Sequence, residues 1–272
     1  MERIGLLHHP KLPDTQPTAE RMARQAEAHG VSTWIGSTWD EPAVAAQIAN
    51  LDLLVTLGGD GSILRTARMA CQHDVPVLGV KMGRLGFLAE LDPEEWDTAL
   101  PRLLAGDFWL ENRMMLDAEN RRGQECRAHQ ALNDVVVSRG SLARIVRLEA
   151  YIDGSYLTTY AADGIIIATA TGSTAYALAA GGPILPPQLE NFLLIPIAPH
   201  LSMNRAIVLG RNDRVEVRVH TDHQAILTVD GQFEYDLKDG DLVSVQASPH
   251  TSRFVRLQDP TYFYRTLMER LR

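Results

Sequence analysis

The chain has 272 residues, 45% hydrophobic and 22% charged, the balance of an ordinary globular protein with room for two domains. Its formal net charge of -8 supplies no basic field for a polyphosphate backbone or an anionic bilayer, which argues against nucleic acid and membrane partners. Cys71 and Cys126 match neither a zinc spacing nor a disulfide framework, no histidines pair as in HExxH, and no secretory leader or run of ~20 apolar residues is present, so the expected compartment is a reducing cytoplasm.

In chain order, residues 3–7 read as a strand and 19–29 as a helix closed by Gly30. Residues 51–57 read as a buried strand, 62–71 as a helix and 75–80 as a strand. This alternation predicts a parallel α/β sheet with crossover helices. A further helix is expected over 94–104, with Asp92-Pro93 as its start and Gly106 as its stop. From Met114 the texture changes. Residues 144–152 and 156–160 flank Asp153-Gly154, a hairpin signal, and 214–220, 225–229 and 242–246 are strand-length runs, so this region is mainly antiparallel β with one helix opening near Ser173. Over 261–271, Phe263, Leu267 and Leu271 recur at intervals of four, a stripe that has to pack on something.

The run Gly58-Gly59-Asp60-Gly61-Ser62 lies between the strand over 51–57 and the next helix. A helix starting there, with Ser62 as its expected cap, aims backbone N–H groups and partial positive charge at whatever sits above the turn, and glycines let a phosphate approach. Gly58, Gly59 and Gly61 are thus the expected phosphate loop. Asp60 is the odd member, because a carboxylate repels a phosphate unless a metal or a transferable proton intervenes, which points to catalysis. An Asp-Gly turn with an ordinary cap explains this run alone equally well.

Two further segments place polar groups in apolar surroundings. Asn133 and Asp134 enter the strongly apolar 132–137, where they offer acceptors to hydroxyls and a donor to a base, or simply form a turn before the strand. In Thr169-Ala170-Thr171-Gly172-Ser173-Thr174-Ala175-Tyr176, a strand feeds a hydroxyl-rich loop and a small-residue helix, a pattern that favours ligand contact, with Tyr176 free to stack on a base or fill core. Asp230-Gly231-Gln232 reads as a plain hairpin turn.

Taken together, Gly58-Gly59-Asp60-Gly61, Asn133-Asp134, and Thr171 to Tyr176 with Gly181-Gly182-Pro183-Ile184 resemble the three ordered motifs of the NAD kinase family. The first motif by itself also occurs in phosphofructokinases and in lipid kinases. The resemblance implies an α/β N-terminal domain of phosphofructokinase-like type over 1–113, a β-rich NAD-binding domain over 114–250, and a segment over 251–272 whose helix returns to the first domain. It implies phosphoryl transfer from ATP to the adenosine ribose 2′-hydroxyl of NAD, a divalent metal (magnesium or manganese) and a homodimer or homotetramer. Carried over by position, Asp60 activates the hydroxyl, with Gly61 beside it and Arg65 near the phosphates. Asn133, Asp134, Arg144, Asp163, Thr174, Ala175, Tyr176, Ala179, Ala198 and Gln232 line the NAD site. Lys81-Met82 replaces the Asn-containing start common in the family's GxLGF segment, and Ala161 and Ala179 stand where some members carry polar residues.

Overall fold

The computed structural model describes residues 1–83, 86–140, 144–200 and 203–271. In chain order its elements are β1 (Arg3–His8), α1 (Thr15–Ala28), β2 (Ser32–Ser37), α2 (Glu41–Ile48), β3 (Leu53–Gly58), α3 (Asp60–Ala70), β4 (Val77–Lys81) and α4 (Trp96–Ala105). There follow β5 (Trp109–Arg122), β6 (Glu125–Ala131), β7 (Asp134–Arg139), β8 (Val146–Ile152), β9 (Ser155–Ala162), β10 (Gly164–Thr169), α5 (Tyr176–Ala179), β11 (Phe192–Ile197), β12 (Ile207–Leu209), β13 (Arg214–His220), β14 (Ala225–Val229), β15 (Phe233–Leu237), β16 (Leu242–Arg256) and α6 (Tyr262–Arg270). The chain forms two compact units, Met1–Asn112 with Thr251–Arg272, and Arg113–His250. Among the described residues no helix is long and apolar enough to cross a membrane.

In the first unit β2, β1, β3 and β4 lie side by side and parallel, and Phe254 near the end of β16 pairs with Val77 in the same sense. All six residues of β3 are buried, as a central parallel strand covered on both faces requires. Ala19, Met22, Ala23 and Ala26 of α1 and Ile63, Leu64, Ala67 and Ala70 of α3 are buried at helical spacing, which fixes one face of each helix on the sheet. An Asp92/Glu95 capping box opens the turn before α4 and Gly106 ends it in the left-handed conformation, as the sequence indicates.

In the second unit β12, β11, β10, β7, β14 and β15 form one antiparallel sheet, and β13 pairs with β8 and with the first residues of β16. Their apolar faces share a core that includes Val135, Ile165, Leu194, Val217 and Leu227. Asp153 and Gly154, both with positive φ, make the expected hairpin turn between β8 and β9.

Four expectations need correction. β2 and α2 lie where no element is expected: β2 is a half-exposed edge strand with a mixed polar pattern, and α2 starts at the Asp40 cap, which accepts the Ala43 N–H, with Pro42 after it. Ser62 is no cap, because α3 begins at Asp60 with Gly59 in the cap position and Ser62 is buried in its first turn. The helix near Ser173 is a 3₁₀ turn, Gly172–Thr174, and the four-residue α5, interrupted by Ala175 at φ -100°, ψ -127°. On α6 the buried pair is Tyr262 and Phe263, Leu267 is half-buried and Leu271 is exposed, so burial of the stripe fades from the first turn to the last.

Candidate active site

Asp60 is the first residue of α3, directly after the extended Gly59. Its two carboxylate oxygens accept the backbone N–H groups of Phe87 at 2.8 Å and Leu88 at 3.2 Å. These bonds fix the plane of the carboxylate and leave each oxygen a further lone pair. Gly86 makes the close approach feasible, since a Cβ there would stand 2.1 Å from Asp60 Oδ1. Beyond the chain neighbours and the helix backbone, no atom lies within 4 Å of where a Cβ would sit on Gly59 or Gly61, so no side chain crowds the helix start, an arrangement suited to an anion. Arg65, one turn on, is ion-paired with Glu41 at 3.1 Å and sits 6.0 Å from the ring of the half-exposed Trp39. Arg84 and Leu85 of the GxLGF segment lie outside the described residues, and Lys81 is ion-paired with Asp92 at 2.7 Å.

In the second unit the structure brings three sequence motifs onto one another. Asp230 Oδ1 accepts the N–H groups of Asn133 at 2.7 Å and Asp134 at 3.1 Å, and Oδ2 that of Leu132 at 3.0 Å. The Asn133 carbonyl takes the Thr169 N–H at 2.9 Å, and Thr169 Oγ1 donates to the Leu132 carbonyl at 2.5 Å. Gly172 presses on the same spot, a Cβ there falling 2.0 Å from the Asn133 carbonyl oxygen. The loop hydroxyls bond to the chain itself. Ser173 Oγ donates to Ala170 O and accepts from Leu185 N–H, and Thr174 Oγ1 donates to Thr171 O. They build the loop, and its exposed side chains are Tyr176 and Ala179.

Residues 9–108 match the family model of the ATP-NAD kinase N-terminal domain, and residues 132–257 that of the ATP-NAD kinase C-terminal domain. The chain belongs to the ATP-NAD kinase family. Over 273 residues it is 41% identical to a NAD kinase of Chloroflexus aggregans, covering 100% of this chain and 99% of that one. To a NAD kinase of Dehalococcoides mccartyi it is 37% identical, covering 100% and 96%. Among solved structures it is similar to yeast NADH kinase complexed with NADH, at TM-score 0.87 and 27% identity over 99% of this chain and 87% of that one. It is likewise similar to an NAD kinase from Archaeoglobus fulgidus in complex with ATP, at TM-score 0.79 and 26% identity over 99% and 98%.

Within this ATP-NAD kinase, the remaining predicted residues occupy varied settings. Asp163 is paired with Arg139 at 2.9 Å, Arg144 is exposed just before β8, and Gln232 closes the β14–β15 turn through its N–H on Val229 O. Ala198 holds φ 44° directly after β11, a conformation that costs a non-glycine residue and points to a constraint at that position. Asp134 is buried, and that burial, reinforced by the charge of Asp230, pushes its carboxyl up to about 7. Near neutral pH it therefore offers either an acceptor or an O–H donor.

Residues with no site signal of their own in the sequence also support Asp60, Asn133 and Asp134. Asp230 looked like half of a hairpin turn, and it is one, at φ 51° beside Gly231 at φ 61°. Its side chain nevertheless gathers three N–H groups some hundred residues away, a long-range bond with no local signature. Gly86 and the Phe87 and Leu88 amides are equally silent, because only their backbone reaches Asp60. Among the described residues no group of three or more His, Cys, Asp or Glu side chains is placed to hold a metal ion.

Proposed function

We propose that this kinase transfers the terminal phosphoryl group of ATP to the 2′-hydroxyl of the adenosine ribose of NAD, giving NADP and ADP, with Asp60 as the general base. Family membership carries the reaction class, ATP-dependent phosphorylation of NAD to NADP. The observation that carries the residue assignment is the Asp60 carboxylate, held by two N–H bonds at the start of a helix where Gly59 and Gly61 put no side chain in the way. A ribose hydroxyl is a poor nucleophile, and a fixed carboxylate that accepts its proton contributes roughly 100- to 10,000-fold, the rest coming from alignment and charge neutralisation.

In this reading Gly59 and Gly61 keep side chains away from the phosphate, Gly58, buried at the end of β3, has no room for a Cβ against Ser62 Oγ, which would lie 2.5 Å from it, and Arg65 adds a cation one turn away. Asn133 and Asp134 recognise ribose and base groups of NAD, and Asp163, Thr174, Ala175, Tyr176, Ala179, Arg144, Ala198 and Gln232 complete its binding. The geometry that supports this is the Asp230-centred junction, which holds Asn133 and Asp134 by their backbone and leaves their side chains for other partners. Magnesium or manganese would enter with ATP as part of the donor substrate and would supply charge neutralisation at its phosphates. The family resemblance supports a homodimer or homotetramer, which sedimentation velocity reads, and the cysteine usage of the chain supports a reducing cytoplasm.

The deciding experiment is a steady-state assay with ATP, magnesium and NAD on the parental chain and Asp60→Asn, with diacylglycerol and a sphingoid base as rival acceptors. NADP formation that depends on Asp60 supports the reading. Turnover of a lipid acceptor as efficient as that of NAD, or NAD binding without turnover, would replace it.

A further inference from the structure

The backbone that holds Asp60 is itself held from the C-terminal end of the chain. A single peptide group, between Phe87 and Leu88, donates its N–H to Asp60 Oδ1 at 3.2 Å while its carbonyl accepts Arg270 Nη1 at 2.8 Å. The next carbonyl, that of Leu88, accepts Arg256 Nη1 at 3.2 Å. Arg256 is fully buried and ion-paired with Glu90 at 3.0 Å and Glu111 at 2.9 Å, and Glu111 also takes the Tyr262 hydroxyl at 2.9 Å. Glu90 Oε1 accepts the N–H groups of Leu257 and Gln258. The segment carrying the Asp60 donors is thus clamped by two guanidinium groups, one embedded in the core and one in the last turn of α6.

A cation on a peptide carbonyl polarises that peptide and strengthens its N–H as a donor, and it also fixes the tilt of the peptide plane. Arg256 is the permanent half of the clamp, since a buried triad of this kind fails as a unit when one partner is removed. Arg270 is the adjustable half. It is half-buried, packs 5.5 Å from the Tyr262 ring, and lines a cavity of about 350 Å³ with Lys81, Glu90, Asp92 and Arg102.

We propose that Arg270 is a positioning residue for phosphoryl transfer, acting through the Phe87-Leu88 peptide to hold the Asp60 carboxylate in its reacting orientation. The proposal rests on the reading of Asp60 as general base. It assigns to the last turn of the C-terminal helix a part in turnover rather than only in packing.

The test compares Arg270→Ala, Arg270→Lys, Asp60→Asn and the Asp60→Asn/Arg270→Ala double variant, with residual rates followed by radiolabelled phosphate. Arg270→Ala is expected to lower kcat by about tenfold or more, with KM for NAD and for ATP within about twofold and an unchanged melting temperature, the split that marks loss of alignment. Arg270→Lys, which keeps a cationic donor, recovers most of the loss. Guanidinium ion at sub-denaturing concentration also restores turnover to Arg270→Ala, since the cavity has room for it. In the Asp60→Asn background the Arg270 change adds little. A kcat for Arg270→Ala within twofold of the parent, a rise in both KM values together with a fall in melting temperature, or an equal loss in both backgrounds would each overturn the proposal. Near-parental turnover in Asp60→Asn would instead remove the base assignment itself, a result that the Arg270 variants alone cannot produce.

Discussion

Asp230 Oδ1 accepts the backbone N–H of Asp134 at 3.1 Å, and the same Asp230 charge reinforces the effect of burial on the Asp134 carboxyl. One aspartate therefore organises the strand start while the other, beside it, keeps its proton up to about pH 7. The carboxylate that collects three N–H donors suits a charge, and the one among apolar neighbours does not.

This pair makes stability depend on pH in a defined direction. The Asp134 carboxyl stands at about 7 in the folded protein against an ordinary 3.8, so between about pH 4 and 7 the native chain keeps a proton that the unfolded chain releases. The native state binds more protons there, and this contribution falls as pH rises, by an amount on the order of 4 kcal/mol across the window. Melting the ligand-free protein and Asp134→Asn at a series of pH values checks it. The variant should gain on the parent from pH 4 to 7 and exceed it at pH 8, whereas parallel curves would mean that Asp134 titrates normally.

Gly172 tests the junction from the other side. A Cβ added to Gly172 would fall 2.0 Å from the Asn133 carbonyl oxygen, a backbone atom with no flexible side chain to move aside. Gly172→Ala should therefore cost about 1–3 kcal/mol of stability and displace Asn133. In the proposed reading KM for NAD then rises while KM for ATP changes little. An unaltered KM for NAD in a measurably destabilised variant would detach this junction from substrate recognition.

Asp60→Asn separates base chemistry from shape. Two N–H donors converge on the carboxylate, and an amide supplies only one oxygen, so its NH2 faces either Phe87 or Leu88 N–H. That unpaired donor should cost roughly 1–3 kcal/mol of stability, and turnover should fall by roughly 100- to 10,000-fold because an amide takes no proton from the hydroxyl. NAD should still bind. Calorimetric titration beside kcat distinguishes this from general unfolding, which would abolish both.

The parts of this molecule that were legible in the sequence are those encoded by neighbours in the chain. The apolar run of β3, the Asp92-Pro93 start and Gly106 stop of α4, and the Asp153-Gly154 turn each follow from a few adjacent residues. The edge strand β2 was not legible, because a half-exposed strand needs no clean alternation. The candidate site divides in the same way. Asp60 and Asn133-Asp134 announced themselves as polar residues in apolar or glycine-rich company. Their supports, Asp230, Gly86, Arg256 and Arg270, act across long separations in the chain, Gly86 by the Cβ it lacks and the others on the backbone atoms of their partners, which leaves no trace in local side-chain patterning. The hydroxyls of Thr169, Ser173 and Thr174 have a local part that their density in the sequence did not reveal. Each donates to a backbone carbonyl, since a sharp turn between β10 and α5 strands backbone groups that need partners.

The acceptor hydroxyl is where the proposed reaction is most exposed. In-line attack requires the nucleophilic oxygen within about 3–3.5 Å of the donor phosphorus with its proton in reach of the base. Asp60, pinned by two N–H bonds, cannot swing to serve several hydroxyls in turn. A NAD analogue with 2′-deoxyadenosine should therefore bind, compete with NAD and yield no phosphorylated product, while the 3′-deoxy analogue should still be turned over. Mass spectrometry of the products after incubation with ATP and magnesium reads both outcomes directly. Phosphorylation of the 2′-deoxy analogue at another oxygen would mean that the site does not select the hydroxyl through Asp60, and the base assignment would fall with the regiochemistry.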